Sequence, residues 1–160
     1  IGTLGNDFKF VDSRTPLRNA IEKKAGRYGE LDLPFVIAVN ALDKYGIDDI
    51  DVMEALFGKE KYVVTFGTTK PTTPQMTREP DGAWTGKSGP KNTRVSAVLL
   101  FNQALPMTIA NTSAILIHNP WAKFLYDSSL RTLPQWQFKT SQRESINGLS
   151  IAEILQLEKE

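Results

Sequence analysis

Apolar and polar residues recur along this chain with two different periods, and the change of period marks out its elements. From Thr15 onward the period is helical: Leu17, Ala20, Ile21, Lys24 and Tyr28 fall on one side. Thr15 suits the N-cap, Pro16 the first helical position and Gly29 the left-handed residue after the last turn, so a helix is expected over 16–28. Pro34 to Asn40 has no polar residue between its ends. Such a run is expected to be a strand buried on both faces, under layers that cover both sides of a sheet.

Further on, a short strand is expected at Phe8–Val11 and a loop at 41–47. Asp48 or Asp49 is placed to cap a helix over 49–57, with Ile50, Met53, Leu56 and Phe57 on its apolar face and Gly58 ending it. Tyr62–Phe66 is rich in β-branched and aromatic residues and reads as a strand. The stretch 67–92 holds four prolines and four glycines and reads as a long loop, with Asp81 and Gly82 as a turn. Val95–Phe101 and Ala114–His118 are two more apolar strands, the second broken by Asn119 and Pro120. Residues 132–147 are polar and show no assignable period. Ser150 and Glu153 form a capping box, so a helix is expected over 150–157. The fold class is therefore α/β: a mixed central sheet of Pro34–Asn40, Tyr62–Phe66, Val95–Phe101 and Ala114–His118, flanked by helices. Ile37, Val39, Val98, Leu100 and Ile115 are its expected core.

At 160 residues with no linker-like stretch, the chain is expected to be a single domain. It opens on Ile1 rather than Met, which reads as a piece of a longer chain. It has no cysteine, which excludes disulfides, thiolate zinc sites and cysteine nucleophiles, and fits a reducing, cytoplasmic setting. No apolar run approaches the roughly 20 residues needed to span a bilayer, so no membrane role is expected. Net charge is +1 but uneven: residues 30–60 carry 2 basic and 8 acidic side chains, residues 61–143 carry 10 and 3. Sequence blocks of this kind either mix in space and cancel or build a basic face that attracts phosphate.

No catalytic set emerges. Glu22 and Lys24, with Asp12 upstream, have the form of a nuclease metal motif, but on a helix they point about 200° apart. Gly86, Lys87 and Ser88 resemble the end of a phosphate loop, yet no strand leads in and Pro90 forbids the helix that the motif requires next. Asp48, Asp49, Asp51 and Glu54 crowd a helix start, where the dipole alone favours acids. His118 is the only histidine and has no serine or aspartate spacing around it. Neither a metal nor a cofactor is expected. The remaining constellation is Trp84, Lys87, Lys91 and Arg94, one ring and three cations on a Gly/Pro-rich stretch. It suits phosphate contacts with one stacking platform, and the competing reading is a solvated loop whose Trp84 folds onto the core.

The order of the motifs resembles a group of bacterial proteins of unknown function. They are Lys24, Ala25 and Tyr28, the strand Pro34–Asn40, Ala55 to Gly58, Gly82 to Trp84, Val95 to Leu99, and Asn119 to Ala122. The helix–strand opening is similar to the closing helix and strand of the restriction-endonuclease-like core, whose metal-binding strands would lie at or before residue 1. The resemblance implies the non-catalytic C-terminal part of a bacterial nuclease-like protein of unknown function; a contact with nucleic acid, DNA being the candidate partner, is expected only if Trp84, Lys87, Lys91 and Arg94 form the surface described above. The alternative is a structural or protein-interaction domain with no nucleic-acid role.

Overall fold

The computed structural model describes residues 12–42, 46–64, 73–127, 129–139 and 142–157. The expected strand Phe8–Val11, the middle of the 41–47 loop, the last two residues of Tyr62–Phe66 and the first part of the 67–92 loop lie outside the described residues. Within them the chain is mixed α/β. Its strands are β1 (Phe35–Ala41), β2 (Glu60–Val63), β3 (Gln75–Arg78), β4 (Thr85–Gly86), β5 (Gly89–Pro90), β6 (Val95–Asn102), β7 (Ser113–His118), β8 (Gln135–Lys139) and β9 (Gln142–Ile146); its helices are α1 (Arg14–Ala25), α2 (Asp49–Phe57) and α3 (Ile151–Leu155).

Five strands form one sheet in the order β1-β6-β7-β8-β9. The β1–β6 and β7–β8 pairs are parallel, the β6–β7 and β8–β9 pairs antiparallel. β6 is buried along its first six residues. Its alternation divides two cores: Val98 and Leu100 face α1, α2 and Trp84, whereas Ala97 and Leu99 face Leu133 and Ile151. Each large aliphatic chain buried this way contributes about 1.5–3 kcal/mol.

Several expectations are corrected here. β1 is an edge strand, not a strand buried on both faces: Ile37 and Val39 are buried, but Ala38 and Asn40 are exposed because the second layer covers β6 and β7 instead. β6 is the strand that has both faces covered. The strand expected at Tyr62–Phe66 does not join the central sheet. Its described part, β2, pairs with β3 in a separate antiparallel ribbon, with Tyr62 opposite Met76. Two sheet strands, β8 and β9, come from the polar stretch 132–147. Of the expected core, Ile37, Val39, Val98 and Leu100 are buried, while Ile115 is only half-buried.

The helices also differ in detail. α1 starts two residues early because the Asp12 carboxylate, not Thr15, does the capping: it accepts the Thr15 N–H at 2.9 Å. α1 stops at Ala25 rather than residue 28, since Arg94 grips the carbonyls of Ala25, Tyr28 and Gly29 and holds that segment open. α2 is capped by Asp48, which accepts the Asp51 N–H at 2.8 Å. Its buried face is Val52, Ala55, Leu56 and Phe57; Ile50, expected inside, is 65% exposed. α3 carries the Ser150–Glu153 capping box and spans five residues. Among the described residues no helix is long and apolar enough to cross a membrane.

Candidate functional site

Phe57 closes α2 and is the centre of a ring cluster. Trp84, Trp121 and Phe138 lie 5.4, 5.8 and 4.6 Å from it, centroid to centroid, the two tryptophans edge-on. Offset and edge-to-face rings of this kind add to simple burial. The chain beyond α2 holds Phe57 in place. Gly58 leaves the helix at φ 91°, ψ 160°, a conformation that disfavours any side chain. The segment after β3 then docks on the helix end: Ala83 N–H donates to Ala55 O at 2.7 Å and Trp84 N–H to Leu56 O at 2.8 Å. These bonds satisfy carbonyls that a helix C-terminus otherwise leaves unpaired. The Thr85 hydroxyl donates to Phe57 O at 3.0 Å.

Beside this cluster opens a pocket of about 590 Å³, lined by Met53, Phe57, Met76, Arg78, Trp121 and Phe138 among others. Its wall is drawn from α2, β3, β8 and the turn after β7. Two flexible thioethers and three rings make a surface that adapts to apolar shapes. Arg78 stands at the edge, paired with Glu60 across the β2–β3 ribbon and donating to Gly58 O at 2.9 Å. Trp121 is 38% exposed and Met76 53%. The apolar surface continues past the rim onto Tyr62, which is 70% exposed and directly opposite Met76.

The four residues expected to contact nucleic acid do not assemble into one surface. Trp84 has no exposed surface. The expectation of a stacking platform is corrected at this residue, because Phe57 and the end of α2 offered its ring a dry partner. Lys91 Nζ lies 2.6 Å from Glu22 Oε1. Arg94 is spent on the carbonyls after α1. Lys87 sits exposed in the turn between β4 and β5.

The other candidates are dispersed over the fold. Glu22 and Lys24 lie on α1. Gly86 to Ser88 belong to the β4–β5 hairpin, not to a phosphate loop. Asp49 pairs with Arg143 at 2.8 Å, and Glu54 accepts the Glu60 N–H at 3.2 Å. Burial, then the neighbouring Asp48 charge, hold the Asp51 carboxyl above its ordinary range. The His118 Nε2 and Gln135 Oε1 are 2.8 Å apart, which ties the lone histidine to a buried amide. Among the described residues no group of three or more His, Cys, Asp or Glu is placed to hold a metal ion.

The sequence pattern puts Met53 and Phe57 on an apolar helix face and Trp121 in the break after an apolar strand, but it does not point to Met76, Arg78 or Phe138. A signal for Phe138 was present: Gln135, Trp136, Gln137 and Phe138 alternate with the period of a half-buried strand. No family model, curated protein or solved structure matches this chain.

Proposed function

We propose that this chain is a non-catalytic protein-interaction domain whose pocket receives an apolar, ring-bearing side chain of a partner. The supporting observation is the exposed Trp121 and Met76 around a pocket floored by Phe57 and Phe138. Aromatic residues, Met and Arg are the types enriched at interface centres, where a buried anchor carries most of the binding energy. The apolar strip running on to Tyr62 favours a partner larger than a small molecule, since a ligand filling the pocket leaves that strip wet. Selection of displayed random peptides on the wild-type domain and on a Trp121→Ser variant tests the reading. Enriched peptides sharing an aromatic residue, and binding only the wild type, are expected. Selection without a ring-bearing consensus overturns it.

The second reading is the C-terminal part of a nuclease-like protein that contacts DNA. What favours it is α1 leading into β1 at the edge of a mixed sheet. Exposed Lys87 is then the first residue to test. Its support is thinner, because Trp84, Lys91 and Arg94 are already engaged within the fold. DNA affinity at low salt, falling steeply as salt rises, would carry it; no detectable affinity there removes it.

A further inference from the structure

Of the two strands in the β2–β3 ribbon, only β3 contributes described lining residues to the aromatic pocket. It contributes three in succession, Met76, Thr77 and Arg78. Successive side chains of a strand point to opposite faces. Three neighbours on one wall therefore place the pocket along the edge of β3 rather than over one face of the ribbon.

That edge is open. The Glu79 N–H donates to Lys59 O at 2.8 Å, and bonded pairs alternate along an antiparallel ladder. Lys61 and Thr77 form the next bonded pair in the register. Met76 and Arg78, opposite Tyr62 and Glu60, therefore turn their N–H and C=O groups away from β2. The ribbon has only two strands, and among the described residues nothing is bonded to these outward groups. A row of unpaired donors and acceptors is a template for another extended chain. A helical partner satisfies its own backbone and leaves the row wet. An extended partner pairs with it and presents its side chains alternately to both faces of the ribbon.

Charge narrows the partner further. Residues 59–79 carry Lys59, Lys61, Lys70 and Arg78 against Glu60 and Glu79. Arg78 and Glu60 pair with each other. Lys61 is exposed on the face away from Met76, with only the short Thr77 between it and an added strand. Strands two apart in a sheet lie about 10 Å from one another, a span that a lysine and a glutamate close between them. Neighbouring residues of a strand face opposite ways. A ring that enters the pocket beside Met76 and an acid that meets Lys61 are therefore adjacent in the partner's sequence.

We propose that the partner of the aromatic pocket is an extended, acidic segment that adds to β3 as a third strand of the ribbon, with its ring in the pocket and a neighbouring carboxylate at Lys61. The place of the ring follows from the function proposed for the pocket, whereas the strand rests on the backbone of β3 alone.

Amide hydrogen exchange of the wild-type domain, alone and with a peptide selected on it from a displayed random library, tests the proposal. In the free domain the Met76 and Arg78 N–H groups should exchange fast and that of Thr77 more slowly. At about nine-tenths saturation with the peptide, exchange at Met76 and Arg78 should slow about 10-fold, because it then proceeds only from the free tenth. N-methylation of the peptide should weaken binding about 2- to 10-fold or more at every second residue, as loss of one hydrogen bond does, and leave it unchanged at the residues between. Lys61→Gln, at an exposed position, should weaken binding and remove most of its salt dependence. A ring-bearing peptide that requires Trp121 but leaves the Met76 and Arg78 amides unchanged overturns the strand and keeps the pocket. A peptide that protects both amides and binds Trp121→Ser as tightly as wild type supports the strand and overturns the place of the ring. A library that yields no peptide overturns both, and equal affinity in Lys61→Gln and wild type overturns the acidic partner.

Discussion

Gly58 and Gly82 touch backbone to backbone: a Cβ on Gly82 would lie 2.4 Å from the Gly58 nitrogen and 2.4 Å from Leu56 O. This contact fixes the end of α2 against the segment that carries Trp84, and so fixes Phe57 at the pocket floor. The three atoms nearest the missing Cβ all belong to the backbone, so no flexible side-chain end can give way there. Gly82→Ala should destabilise the domain by about 1–3 kcal/mol or more, read as a shift in the denaturant midpoint. Gly29→Ala is the control. A Cβ there meets nothing within 4 Å, and it should be neutral or stabilising by a few tenths of a kcal/mol.

Arg94 supplies the second prediction. Its Nη1 donates to the carbonyls of Tyr28 and Gly29, and its Nη2 to that of Ala25. A guanidinium can satisfy several acceptors at once, and a cation after a helix also favours its dipole. Arg94→Ala should lower stability by about 1–3 kcal/mol. Arg94→Lys should recover only part of it, because an ammonium cannot fork. If Arg94 instead acts on DNA, both variants should fold as firmly as wild type and lose affinity.

Helix positions were legible in the sequence because their signals are local. The caps Asp48 and Ser150 and the stop at Gly58 depend on neighbours within four residues. β6 was legible for a related reason, since a strand buried on both faces is a nearly continuous apolar run, interrupted before its end only by the small Ser96. β1 carries the same apolar run but lies at an edge, and its second face is uncovered by a decision made elsewhere in the chain. The sheet that β2 joins is not legible, because its partner, β3, lies within a stretch that composition marks only as loop. The pocket was the least legible part. Met53 and Phe57 come from one helix, whereas Met76, Trp121 and Phe138 reach it from three other segments, and only tertiary packing brings them together. For Trp84 the sequence leaves two readings, a stacking ring on a loop and a ring folded onto the core, and only the packed end of α2 decides for the second.

Two carboxyls should give opposite dependences on pH. The Asp51 carboxyl is raised from its ordinary value of 3.8 by burial and then by Asp48. The folded state therefore holds this proton more tightly than the unfolded chain, and the ionised group weakens the fold at neutral pH. Asp51→Asn should be more stable than wild type at pH 7, and the difference should close as the pH falls through the carboxylate range. Asp12 is lowered by its bonds to Thr15. Its contribution is present above the unfolded value and is lost as pH falls through the lowered one. Asp12→Ala should be less stable than wild type at pH 7, with the gap closing only in stronger acid. Melting temperatures of the three proteins between pH 2 and 7 (about the range of carboxylate titration) check both signs.

Asp81 ties three segments together. One oxygen meets Arg14 at 3.2 Å and Arg18 at 3.4 Å, and the other accepts the Lys59 N–H at 3.0 Å. The two ion pairs are partly exposed, so each is worth little alone and is screened by salt. The bond to Lys59 N–H is a direct charge-assisted hydrogen bond, which added salt weakens less than it weakens the two ion pairs. Asp81→Ala should therefore destabilise the domain by about 1–2 kcal/mol, and most of that loss should survive in high salt. A loss that disappears with added salt would assign the role of Asp81 to the two arginines instead.

Phe57 and Trp121 should separate folding from binding, although their rings are in contact. Phe57 is 7% exposed and touches three rings, whereas Trp121 keeps 38% of its surface in solvent. Truncating a buried Phe leaves a cavity and costs about 3–5 kcal/mol, so Phe57→Ala should melt far below wild type. Trp121→Ala removes a ring that is already partly wet, and the rim can close over the space it leaves. It should shift the melt much less while removing the exposed ring from the pocket rim. Truncating an interface anchor of this kind typically costs about 2 kcal/mol or more in affinity, roughly 30-fold. With a ring-bearing peptide selected on the wild-type domain, calorimetry should find Trp121→Ala folded and at least that much weaker. A folded Trp121→Ala protein that binds the same peptide as tightly as wild type would place the partner on another surface, and the ring cluster would then serve the core alone.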